Sequence, residues 1–517
     1  MSARALMILG TASHVGKSLI VAAFCRIFAQ DGYRVAPFKA QNMALNSAAT
    51  PDGLEIGRAQ ALQAEAAGIA PTVDMNPVLI KPSSDTGAQV VVRGSVWGQV
   101  TASDYHQRRT EELFPIVIES YRRLARAHDI IVLEGAGSPA EINLKKRDIV
   151  NMRMAEVADA ACVLVGDIDR GGVFASLLGT IELLEHHERS RIHGLLINKF
   201  RGDMRLLTPG VEMIESRVGK ACYGVIPFIK DLGLEEEDSV ALEEVSDASI
   251  VWRRCDDTSK DRPVRVGVIR FPFLSNFTDF DALSAEATVD LAYISHAEDI
   301  AKVDLLILPG SKQTIADLRW LKESKIASAI SNYRIPVIGI CGGMQMLGHE
   351  IKDVGGLEGG GTENGLGLLP IKTYLGSDKA TFKATARLLQ TRFFGNEMTS
   401  TVAAGYEIHL GKTEYDAGEQ PLFELTRQTS IDRQEKIFDG AISPDTLTIG
   451  SYLHGLFDTD DFRHSILSAV RVARGLNPAP LYSFYSTTRE ARLDRLAEVV
   501  RNSINLTSIY DLLSISR

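Results

Sequence analysis

Ile335-Pro336-Val337-Ile338-Gly339-Ile340-Cys341-Gly342-Gly343 is an apolar run that ends in a cysteine flanked by small residues. The pattern predicts a strand that stops at a sharp turn, and this turn displays the side chain of Cys341. Small residues are needed because the turn requires unusual backbone angles and a close approach to the next helix, predicted from Met344 to Glu350. The first amides of that helix would stabilise a thiolate and an oxyanion. The stretch therefore predicts a cysteine nucleophile.

A loop near the N-terminus predicts a second site, for phosphate. It follows the strand-like run Ala5 to Leu9 and opens a helix predicted from Lys17 to Gln30 and closing at Gly32. The residues of the loop are Gly10-Thr11-Ala12-Ser13-His14-Val15-Gly16-Lys17-Ser18. Its placement between a strand and a helix is the one that a phosphate-binding loop requires, so the chain is predicted to hold a nucleotide site as well as a thiol site.

The residue types in this loop supply the chemistry of a nucleotide site. Gly16 lets the backbone approach phosphate oxygens, Lys17 supplies positive charge to the terminal phosphates, and Ser18 offers a hydroxyl ligand to magnesium. The loop departs from the common form because five residues separate its two glycines and Thr11 stands where the usual first glycine would fall. The departure restricts the families of nucleotide-binding protein to which the chain could belong. The residues needed to bind phosphate and magnesium are all present.

Length and composition bound the class of protein. The 517 residues predict two to three domains, because one core rarely extends over so long a chain. A net charge of -10 argues against a surface that neutralises nucleic-acid phosphates, so nucleic acid is not an expected partner. The five cysteines show no metal-ligand spacing and an odd total, which favours reduced thiols in the cytoplasm. No apolar run is long enough to cross a membrane, so no membrane partner is expected.

Short β-rich runs alternate with helical runs in both halves of the chain. This alternation predicts parallel strands with crossover helices, and hence an α/β fold with two parallel-sheet domains. The predicted strands are Ala5 to Leu9, Ile130 to Leu133, Cys162 to Val165, Leu195 to Ile197, Val264 to Ile269, Val303 to Leu308 and Pro336 to Ile340. The predicted divisions are a nucleotide-binding domain at 1–245, a linker at 246–262, a second domain at 263–462 and a helical C-terminal segment at 463–517.

Carboxylates follow two of the predicted strands, at the ends where parallel sheets place functional groups. Glu134 precedes Gly135-Ala136-Gly137 and is the first choice as a magnesium ligand, with an acidic cap of a glycine turn as the alternative. Asp167 and Asp169 end the next such strand beside Arg170. They predict either a site for metal or substrate or a salt-bridged turn.

The strand after that ends in Asn198-Lys199, a pair typical of purine recognition. Arg201 stands where such sites commonly carry an aspartate, so the specificity for the base stays open. We include Asn198 and Lys199 in the predicted nucleotide site.

Three further residues are predicted to complete the thiol site. A free cysteine titrates at about pH 8.5 and an adjacent imidazolium lowers that value, and His454 is the candidate imidazole. Gly310 ends a neighbouring strand, and its N–H together with that of Gly342 is predicted to form an oxyanion hole. A structural histidine is the alternative for His454. Small buried or inert thiols are expected at Cys25, Cys162, Cys222 and Cys255.

These motifs resemble the cobyric acid synthase family of cobalamin-pathway amidotransferases over nearly the whole chain. The first half is similar to the dethiobiotin-synthetase-type P-loop fold, and the second half is similar to class I glutamine amidotransferase domains with Cys341 as nucleophile and His454 as its partner. The segments that are most specific to the family are Phe38-Lys39-Ala40-Gln41-Asn42-Met43-Ala44-Leu45-Asn46-Ser47, Asn76-Pro77-Val78-Leu79-Ile80-Lys81-Pro82 and Asp167-Ile168-Asp169-Arg170-Gly171-Gly172-Val173-Phe174.

One position departs from many amidotransferases of this class. They carry a glutamate two residues beyond the histidine, and the residue at that place in this chain is Leu456. The resemblance places the chain in a cobalamin-type subgroup that lacks this acid. It leaves open which group orients His454, with Asp458 as one candidate.

The resemblance implies ATP and magnesium as cofactors, no tightly bound prosthetic group, and glutamine and a corrinoid as substrates. It implies that adenosylcobyrinic acid a,c-diamide is amidated at its b, d, e and g carboxylates to give cobyric acid. ATP would be bound by Thr11, Gly16, Lys17, Ser18, Asn198 and Lys199, magnesium by Ser18 and Glu134, and the acceptor by Lys39, Gln41, Asn42, Asn46, Asp167 and Asp169. A polar loop that satisfies its own backbone is the alternative for the residues between 39 and 46.

Two other functions compete with this one. The related cobyrinic acid a,c-diamide synthase shares the two-domain plan, although the segment from Gln41 to Ser47 favours cobyric acid synthase. A partition-type regulatory ATPase would be a nucleotide switch rather than an amidating enzyme. Such switches usually carry a lysine after the first loop glycine and a basic or membrane-seeking helix, whereas this chain has Thr11 and is acidic.

Overall fold

The computed structural model describes residues 3–82, 87–101, 105, 112–230, 232–234, 252, 258–358, 360–430, 433–478 and 484–515. It divides into two compact units. The first unit consists of Met1–Ser47, Glu55–Asp238 and Arg489–Arg517, and the second of Ala48–Leu54 and Ser239–Thr488. Most of the predicted linker at 246–262, including Cys255, lies outside the described residues.

A parallel six-stranded sheet forms the centre of the first unit. From one edge to the other its strands are Ala221–Pro227, Ile192–Phe200, Ala161–Asp167, Arg4–Gly10, Ile130–Glu134 and Val35–Phe38. The three strands Ala161–Asp167, Arg4–Gly10 and Ile130–Glu134 are buried almost throughout, as in parallel sheets that are covered on both faces. The sheet confirms the predicted parallel α/β fold of this half of the chain.

In the first unit, the strand register determines which residues lie next to the phosphate loop. Gly10 pairs with Val165 on one side, and Ile8 pairs with Glu134 on the other. Because all three strands run in the same direction, the loop after Gly10 begins beside the carboxyl ends of both neighbours. The sheet thereby brings the phosphate loop and Glu134 to the same edge.

The other elements of the first unit are a smaller sheet, a short strand and the helices. A smaller sheet contains Gln41–Met43, Val78–Pro82, Gly87–Val92 and Ser95–Thr101, and a short strand is found at Glu55–Gly57. The helices are Lys17–Gln30, Arg58–Ala66, Val73–Met75, Phe114–Ala127, Lys145–Arg147, Met152–Ala158, Val173–Leu183, His186–Arg189, Met204–Val218 and Leu506–Leu513. The predicted helix from Lys17 to Gln30 is confirmed at both ends.

The second unit is also built on a largely parallel sheet. Its strands, in order across the sheet, are Val289–Ile294, Val264–Ile269, Leu305–Leu308, Val337–Ile340, Thr448–Ser451 and Ala441–Ile442, of which only the last is antiparallel to its neighbour. The helices are Phe277–Phe280, Asp281–Ser284, Ala297–Lys302, Thr314–Glu323, Ile326–Asn332, Gly342–Leu347 and Asp460–Ala473. The prediction of a second parallel α/β domain is confirmed.

A mixed sheet in the second unit was not predicted from the sequence. Its strands are Gly361–Asn364, Glu350–Asp353, Ile371–Leu388, Val402–Tyr415, Leu453–His454, Phe423–Ser430 and Arg433–Asp439, and short strands occur at Ser47–Ala49, Arg392–Phe393 and Asn396–Glu397. Val402–Tyr415 pairs with Leu453–His454, so Tyr406 is the partner of His454. This pairing places a long strand of the mixed sheet beside the predicted catalytic histidine.

The helix that follows Cys341 is shorter than predicted and begins earlier. It runs from Gly342 to Leu347, and Glu350 starts a strand instead of ending the helix. Gly348 explains the stop because its backbone is extended, and a Cβ there would lie 2.7 Å from the carbonyl oxygen of Ile371. The predicted helix from Met344 to Glu350 is therefore wrong at both ends.

The predicted helical segment at 463–517 divides between the two units. Helix Asp460–Ala473 buries Phe462, Ile466 and Val470 in the core of the second unit. Helix Tyr485–Ser503 follows, and from Arg489 onward the chain belongs to the first unit, where Leu493 and Leu496 join the core. Across the part of the chain that the structure describes, no helix has the length and apolar character needed to span a membrane.

Candidate active sites

Side chains on the strand Ile192–Phe200 hydrogen-bond to the backbone of the phosphate loop. Asn198 Nδ2 donates to the carbonyl oxygen of Val15 at 2.8 Å, and Lys199 Nζ donates to that of His14 at 2.7 Å. Gly16 has a φ of 93°, and a Cβ at this residue would lie 2.2 Å from Asn198 Nδ2. Glycine is therefore required on both conformational and steric grounds. Asn198 and Lys199, which were predicted to belong to the nucleotide site, thus hydrogen-bond to the backbone of the loop.

Lys17 lies inside the curve of this loop. Its Nζ donates to the carbonyl oxygen of Ala12 at 2.8 Å and to that of Gly137 at 3.2 Å. The N–H of Thr11 donates to the carbonyl oxygen of Val165 at 2.9 Å, which ties the start of the loop to the neighbouring strand. The helix that begins at Lys17 has no acidic residue in its first turn. The loop thus combines a fixed ammonium group with the positive end of a helix dipole, which suits an anionic phosphate.

Glu134 is the centre of a buried polar cluster next to the loop. Its Oε1 accepts from Ser18 Oγ at 2.9 Å and from Lys39 Nζ at 2.9 Å, and its Oε2 accepts from Gln63 Nε2 at 2.6 Å. The side chains of Glu134 and Lys39 are 1% and 5% exposed. A buried ion pair of this kind is costly to break, because removing one partner leaves the other charge uncompensated. Lys39, which was predicted to bind the acceptor, therefore lies beside the predicted magnesium ligands Ser18 and Glu134.

Gln63 was missed by the sequence reasoning. It lies on helix Arg58–Ala66, where Gln60 and Gln63 are both fully buried although they are polar. Two glutamines three positions apart share one face of a helix, so their spacing was the available signal. Nothing in the sequence alone pointed that face toward Glu134.

The residues around Glu134 fit a magnesium ion. Ser18 Oγ and Glu134 Oε1 are oxygen donors 2.9 Å apart, and oxygen is the ligand that magnesium prefers. Among the described residues, no group of three or more His, Cys, Asp or Glu side chains could hold a metal ion. An ion at Ser18 and Glu134 would therefore complete its coordination with nucleotide phosphates and water.

The predicted acceptor residues Gln41, Asn42 and Asn46 are all buried. Gln41 Oε1 accepts from the hydroxyl of Tyr105 at 2.7 Å, and Asn42 Nδ2 donates to Gln60 Oε1 at 3.0 Å. The carbonyl oxygen of Asn46 accepts from the N–H of Arg58 at 3.2 Å. These contacts provide hydrogen-bond partners for some of the polar groups of this segment. Binding of the acceptor by these residues stays a prediction.

Asp167 and Asp169 are both engaged in ion pairs. Asp167 Oδ2 lies 3.1 Å from Lys199 Nζ, and Asp169 Oδ1 lies 3.0 Å from Arg201 Nε. The N–H of Asp169 donates to Asp167 Oδ1 at 2.8 Å. These contacts form the salt-bridged turn that was the alternative to a binding site, and substrate binding by the two residues stays a prediction.

Cys341 stands at the turn between strand Val337–Ile340 and helix Gly342–Leu347. Its φ of 52° lies in the left-handed region, which a non-glycine residue adopts only where the surrounding structure holds it. The N–H of Cys341 donates to the carbonyl oxygen of Ser451 at 2.8 Å, which fixes the turn. A Cβ on Gly343 would lie 1.9 Å from the carbonyl oxygen of Leu308, so only glycine fits there. The structure thus has the strained, glycine-supported turn that the sequence predicted.

His454 is oriented by an aspartate. Its Nδ1 lies 2.7 Å from Asp279 Oδ2, and Asp279 Oδ1 accepts from the N–H of Gly455 at 3.0 Å. The imidazole is 1% exposed and stacks on the ring of Tyr406 with 5.3 Å between the ring centroids. Burial lowers the pKa of His454, but the carboxylate of Asp279, followed by the thiol of Cys341, raises it to about 10. The arrangement keeps the imidazole protonated at neutral pH and beside the nucleophile.

Asp279 supplies the acidic group that is absent at Leu456, two residues beyond the histidine. Leu456 belongs to the apolar core, and the N–H of Asp458 donates to the carbonyl oxygen of Gly455 at 2.9 Å. The sequence reasoning missed Asp279 because it precedes His454 by 175 positions. The available signal was its place after strand Val264–Ile269, since the carboxyl ends of parallel strands meet at one edge.

Gly310 and Gly342 lie next to these groups. A Cβ on Gly310 would lie 3.1 Å from His454 Cε1, and a Cβ on Gly342 would lie 3.0 Å from the nitrogen of Ser311. A side chain at position 310 would therefore crowd the imidazole of His454, and one at position 342 would crowd Ser311. Donation by these two glycines to an oxyanion stays a prediction.

Among the other described cysteines, Cys25 and Cys162 are buried and Cys222 is half-buried. Burial raises the pKa of Cys25, with a further increase from the charge of Glu134, and raises the pKa of Cys162 to about 12. Burial also raises the pKa of Cys222. These thiols stay protonated at neutral pH, and a protonated thiol is a poor nucleophile.

Comparison with known proteins identifies both halves of the chain. A family model of the CobQ/CobB/MinD/ParA nucleotide binding domain matches residues 6–240, and one of the CobB/CobQ-like glutamine amidotransferase domain matches residues 265–462. The chain is 46% identical over 522 residues to the cobyric acid synthase of Pelotomaculum thermopropionicum, covering 99% of this chain and 97% of that protein. The chain belongs to the cobyric acid synthase family.

Other cobyric acid synthases match equally well. That of Citrobacter koseri is 47% identical over 515 residues, covering 99% of this chain and 98% of that protein. That of Moorella thermoacetica is 46% identical over 522 residues, covering 100% of this chain and 98% of that protein. As a member of the cobyric acid synthase family, the chain is an enzyme of glutamine-dependent amidation in cobalamin biosynthesis. These matches support the first interpretation over the a,c-diamide synthase and the regulatory ATPase.

Replacing Asp279 with asparagine is expected to lower the glutaminase rate about 100-fold, because general acid–base catalysis depends on a correctly oriented and protonated imidazole. The carboxylate is also the main group that raises the pKa of His454 against the effect of burial. Without it, the imidazolium loses its proton at lower pH, so the alkaline limit of glutaminase activity should move to lower pH. Rates of ammonia release between pH 6 and pH 10 measure both effects. An unchanged pH profile would contradict the role given to Asp279.

Proposed function

We propose that the chain uses ATP to activate carboxylates of a corrinoid and amidates them with ammonia released from glutamine. The acceptor is adenosylcobyrinic acid a,c-diamide, and the products carry amides at the b, d, e and g positions. The observation that carries the proposal is that each half of the reaction has its own set of converging side chains. Lys17, Ser18 and Glu134 converge in the first unit, and Cys341, His454 and Asp279 in the second.

The residues of the second unit suit the release of ammonia. The sulfur of Cys341 attacks the side-chain carbonyl carbon of glutamine, and the carbon–nitrogen bond breaks as His454 gives its proton to the leaving nitrogen. Water then attacks the glutamyl thioester and gives a proton to His454, which yields glutamate and returns the thiolate of Cys341 and the imidazolium. Asp279 holds the ring of His454 in place throughout, because it accepts from Nδ1 and leaves Nε2 for the reacting groups.

The residues of the first unit suit the activation of a carboxylate. An oxygen of the acceptor carboxylate attacks the terminal phosphorus of ATP, ADP leaves, and the acyl phosphate then exchanges phosphate for ammonia. Lys17 offsets the negative charge that develops during the transfer, and the fixed loop holds the nucleotide. Magnesium, if held by Ser18 and Glu134, would add positive charge at the same phosphates. The assignment to the cytoplasm stays a prediction.

Mass spectrometry of the corrinoid tests this proposal. The purified protein is incubated with adenosylcobyrinic acid a,c-diamide, ATP, magnesium and glutamine, and the masses of the corrinoids are followed in time. Each amidation replaces a hydroxyl group with an amino group and gives one mass step, so four steps are expected. Cobyrinic acid is the matched control acceptor, and its conversion to the a,c-diamide would favour the competing synthase. Consumption of ATP and glutamine without a mass change in either corrinoid would refute the proposed acceptor.

A further inference from the structure

A buried histidine in the second unit has a ring nitrogen that the reaction described above does not use. His409 lies on strand Val402–Tyr415 and is 9% exposed. Its Nε2 lies 3.4 Å from Glu407 Oε1, whereas its Nδ1 has no hydrogen-bond partner in the described part of the chain. Buried polar atoms are nearly always paired, so an unpaired one needs an explanation, such as a ligand.

The strand that carries His409 borders the nucleophile. The carbonyl oxygen of Ile408 lies 3.7 Å from Cys341 Sγ, and the carbonyl oxygen of Leu410 accepts from Gln345 Nε2 at 3.0 Å. His409 is therefore flanked on both sides by residues that contact the turn and helix of the thiol site. A glutamine whose side-chain amide lies at Cys341 Sγ is therefore within reach of this segment.

The aromatic neighbour of His409 also reaches the thiol site. The imidazole stacks on Tyr452 with 3.7 Å between the ring centroids and 12° between the ring planes. The hydroxyl of Tyr452 accepts from Gln345 Nε2 at 3.1 Å. Stacking and hydrogen bonding thus fix the plane of the His409 ring relative to Gln345, which lies on the helix that starts after Cys341.

The hydrogen-bond partners of His409 determine which nitrogen carries its hydrogen. Arg427 donates to both oxygens of Glu407, at 2.6 Å and 2.8 Å, and the pKa of Glu407 is lowered because these hydrogen bonds outweigh burial. An ionised carboxylate only accepts, so His409 Nε2 must be the donor. Burial lowers the pKa of His409, so the ring is neutral at physiological pH. Nδ1 is then a lone-pair acceptor.

We propose that His409 binds the α-ammonium group of the glutamine substrate through Nδ1 and thereby selects an α-amino acid. A buried acceptor pairs best with a charged donor, and an ammonium group is a donor only. This role rests on the proposed reaction of glutamine at Cys341, and it makes His409 a residue that determines substrate specificity rather than one that transfers protons.

Glutaramate, which is glutamine without its α-amino group, provides the test. Glutaminase kcat and KM are measured for glutamine and for glutaramate with the full chain and with His409→Phe, which keeps a stacking ring but has no acceptor. We expect His409→Phe to raise the KM for glutamine about 10-fold or more, with little change in kcat, because a hydrogen bond to a charged group is lost. The kcat/KM for glutaramate should stay unchanged.

Two further variants separate this role from a structural one. His409→Gln retains a carbonyl acceptor and should restore part of the affinity for glutamine. Thr413→Val removes a hydroxyl that lies 2.8 Å from the hydroxyl of Tyr452, and it should leave the preference for glutamine over glutaramate unchanged. An equal loss for both substrates in His409→Phe, or an unchanged KM for glutamine, would overturn the proposal. A lack of glutaminase activity in the unaltered chain would instead remove the role of Cys341.

Discussion

The variant Cys341→Ser is expected to lose glutamine-dependent amidation by about 10⁴-fold or more, while ATP-driven amidation with added ammonia survives. A serine hydroxyl is a much weaker nucleophile than a thiolate, and the imidazolium of His454 stabilises a thiolate far better than it activates a hydroxyl. The nucleotide site uses none of these groups, since Lys17, Ser18 and Glu134 belong to the first unit. The measurement is amide formation on the corrinoid with glutamine and with ammonium salts as alternative nitrogen sources.

Cys222→Ser is the matched control for this experiment. Cys222 Sγ donates to the carbonyl oxygen of Gly224, a contact that a serine hydroxyl can also make, and no part of the proposed reaction involves it. Both nitrogen sources should therefore support amidation in this variant. Loss of ammonia-dependent amidation in a folded Cys341→Ser protein would contradict the separation of the two reactions.

Replacing Lys17 with alanine is expected to lower amidation about 10³-fold with either nitrogen source. The ammonium group is fixed by the carbonyl oxygens of Ala12 and Gly137, at the position where a nucleotide places its terminal phosphates. A preorganised charge of this kind stabilises the transferring phosphoryl group, and its removal typically costs a factor of 10²–10³ in rate. Production of ADP and of the corrinoid amide measures the effect.

Arg122→Ala is the control for the loss of one positive charge in the same unit. Arg122 is exposed on helix Phe114–Ala127, and alanine is a good helix residue, so this variant should amidate at the normal rate. Glutaminase activity should also persist in Lys17→Ala, because the thiol site lies in the second unit. Retained amidation in Lys17→Ala would discard the assignment of the phosphate loop.

Much of the first unit was predictable because its signals are local. The strand Arg4–Gly10, the glycine loop and the helix Lys17–Gln30 are continuous in sequence, and each step follows from residue type and spacing. The turn that displays Cys341 was predicted in the same way. The predicted helix after it ran too far because the contact between Gly348 and Ile371 ends the helix, and that contact joins residues on different elements.

The partners of the active side chains were harder to predict. Asn198 and Lys199 were predicted to belong to the nucleotide site, and the structure shows them hydrogen-bonded to the backbone of the phosphate loop, while their contact with a nucleotide stays a prediction. Gln63 and Asp279 carried no motif of their own. Their roles follow from parallel strand order and helix packing, which bring distant parts of the chain to one edge of each sheet.

The sequence by itself determined that the chain has two α/β domains, a phosphate loop with Lys17, and a cysteine displayed at a strand end, because those features depend on runs of adjacent residues. Only the tertiary structure decided that Asp279 orients His454, and that Lys39 and Gln63 hold Glu134. Those pairings depend on hydrogen bonds between residues far apart in the chain. Burial makes each pairing specific, since a charge or polar atom removed from water must meet its partner at short range.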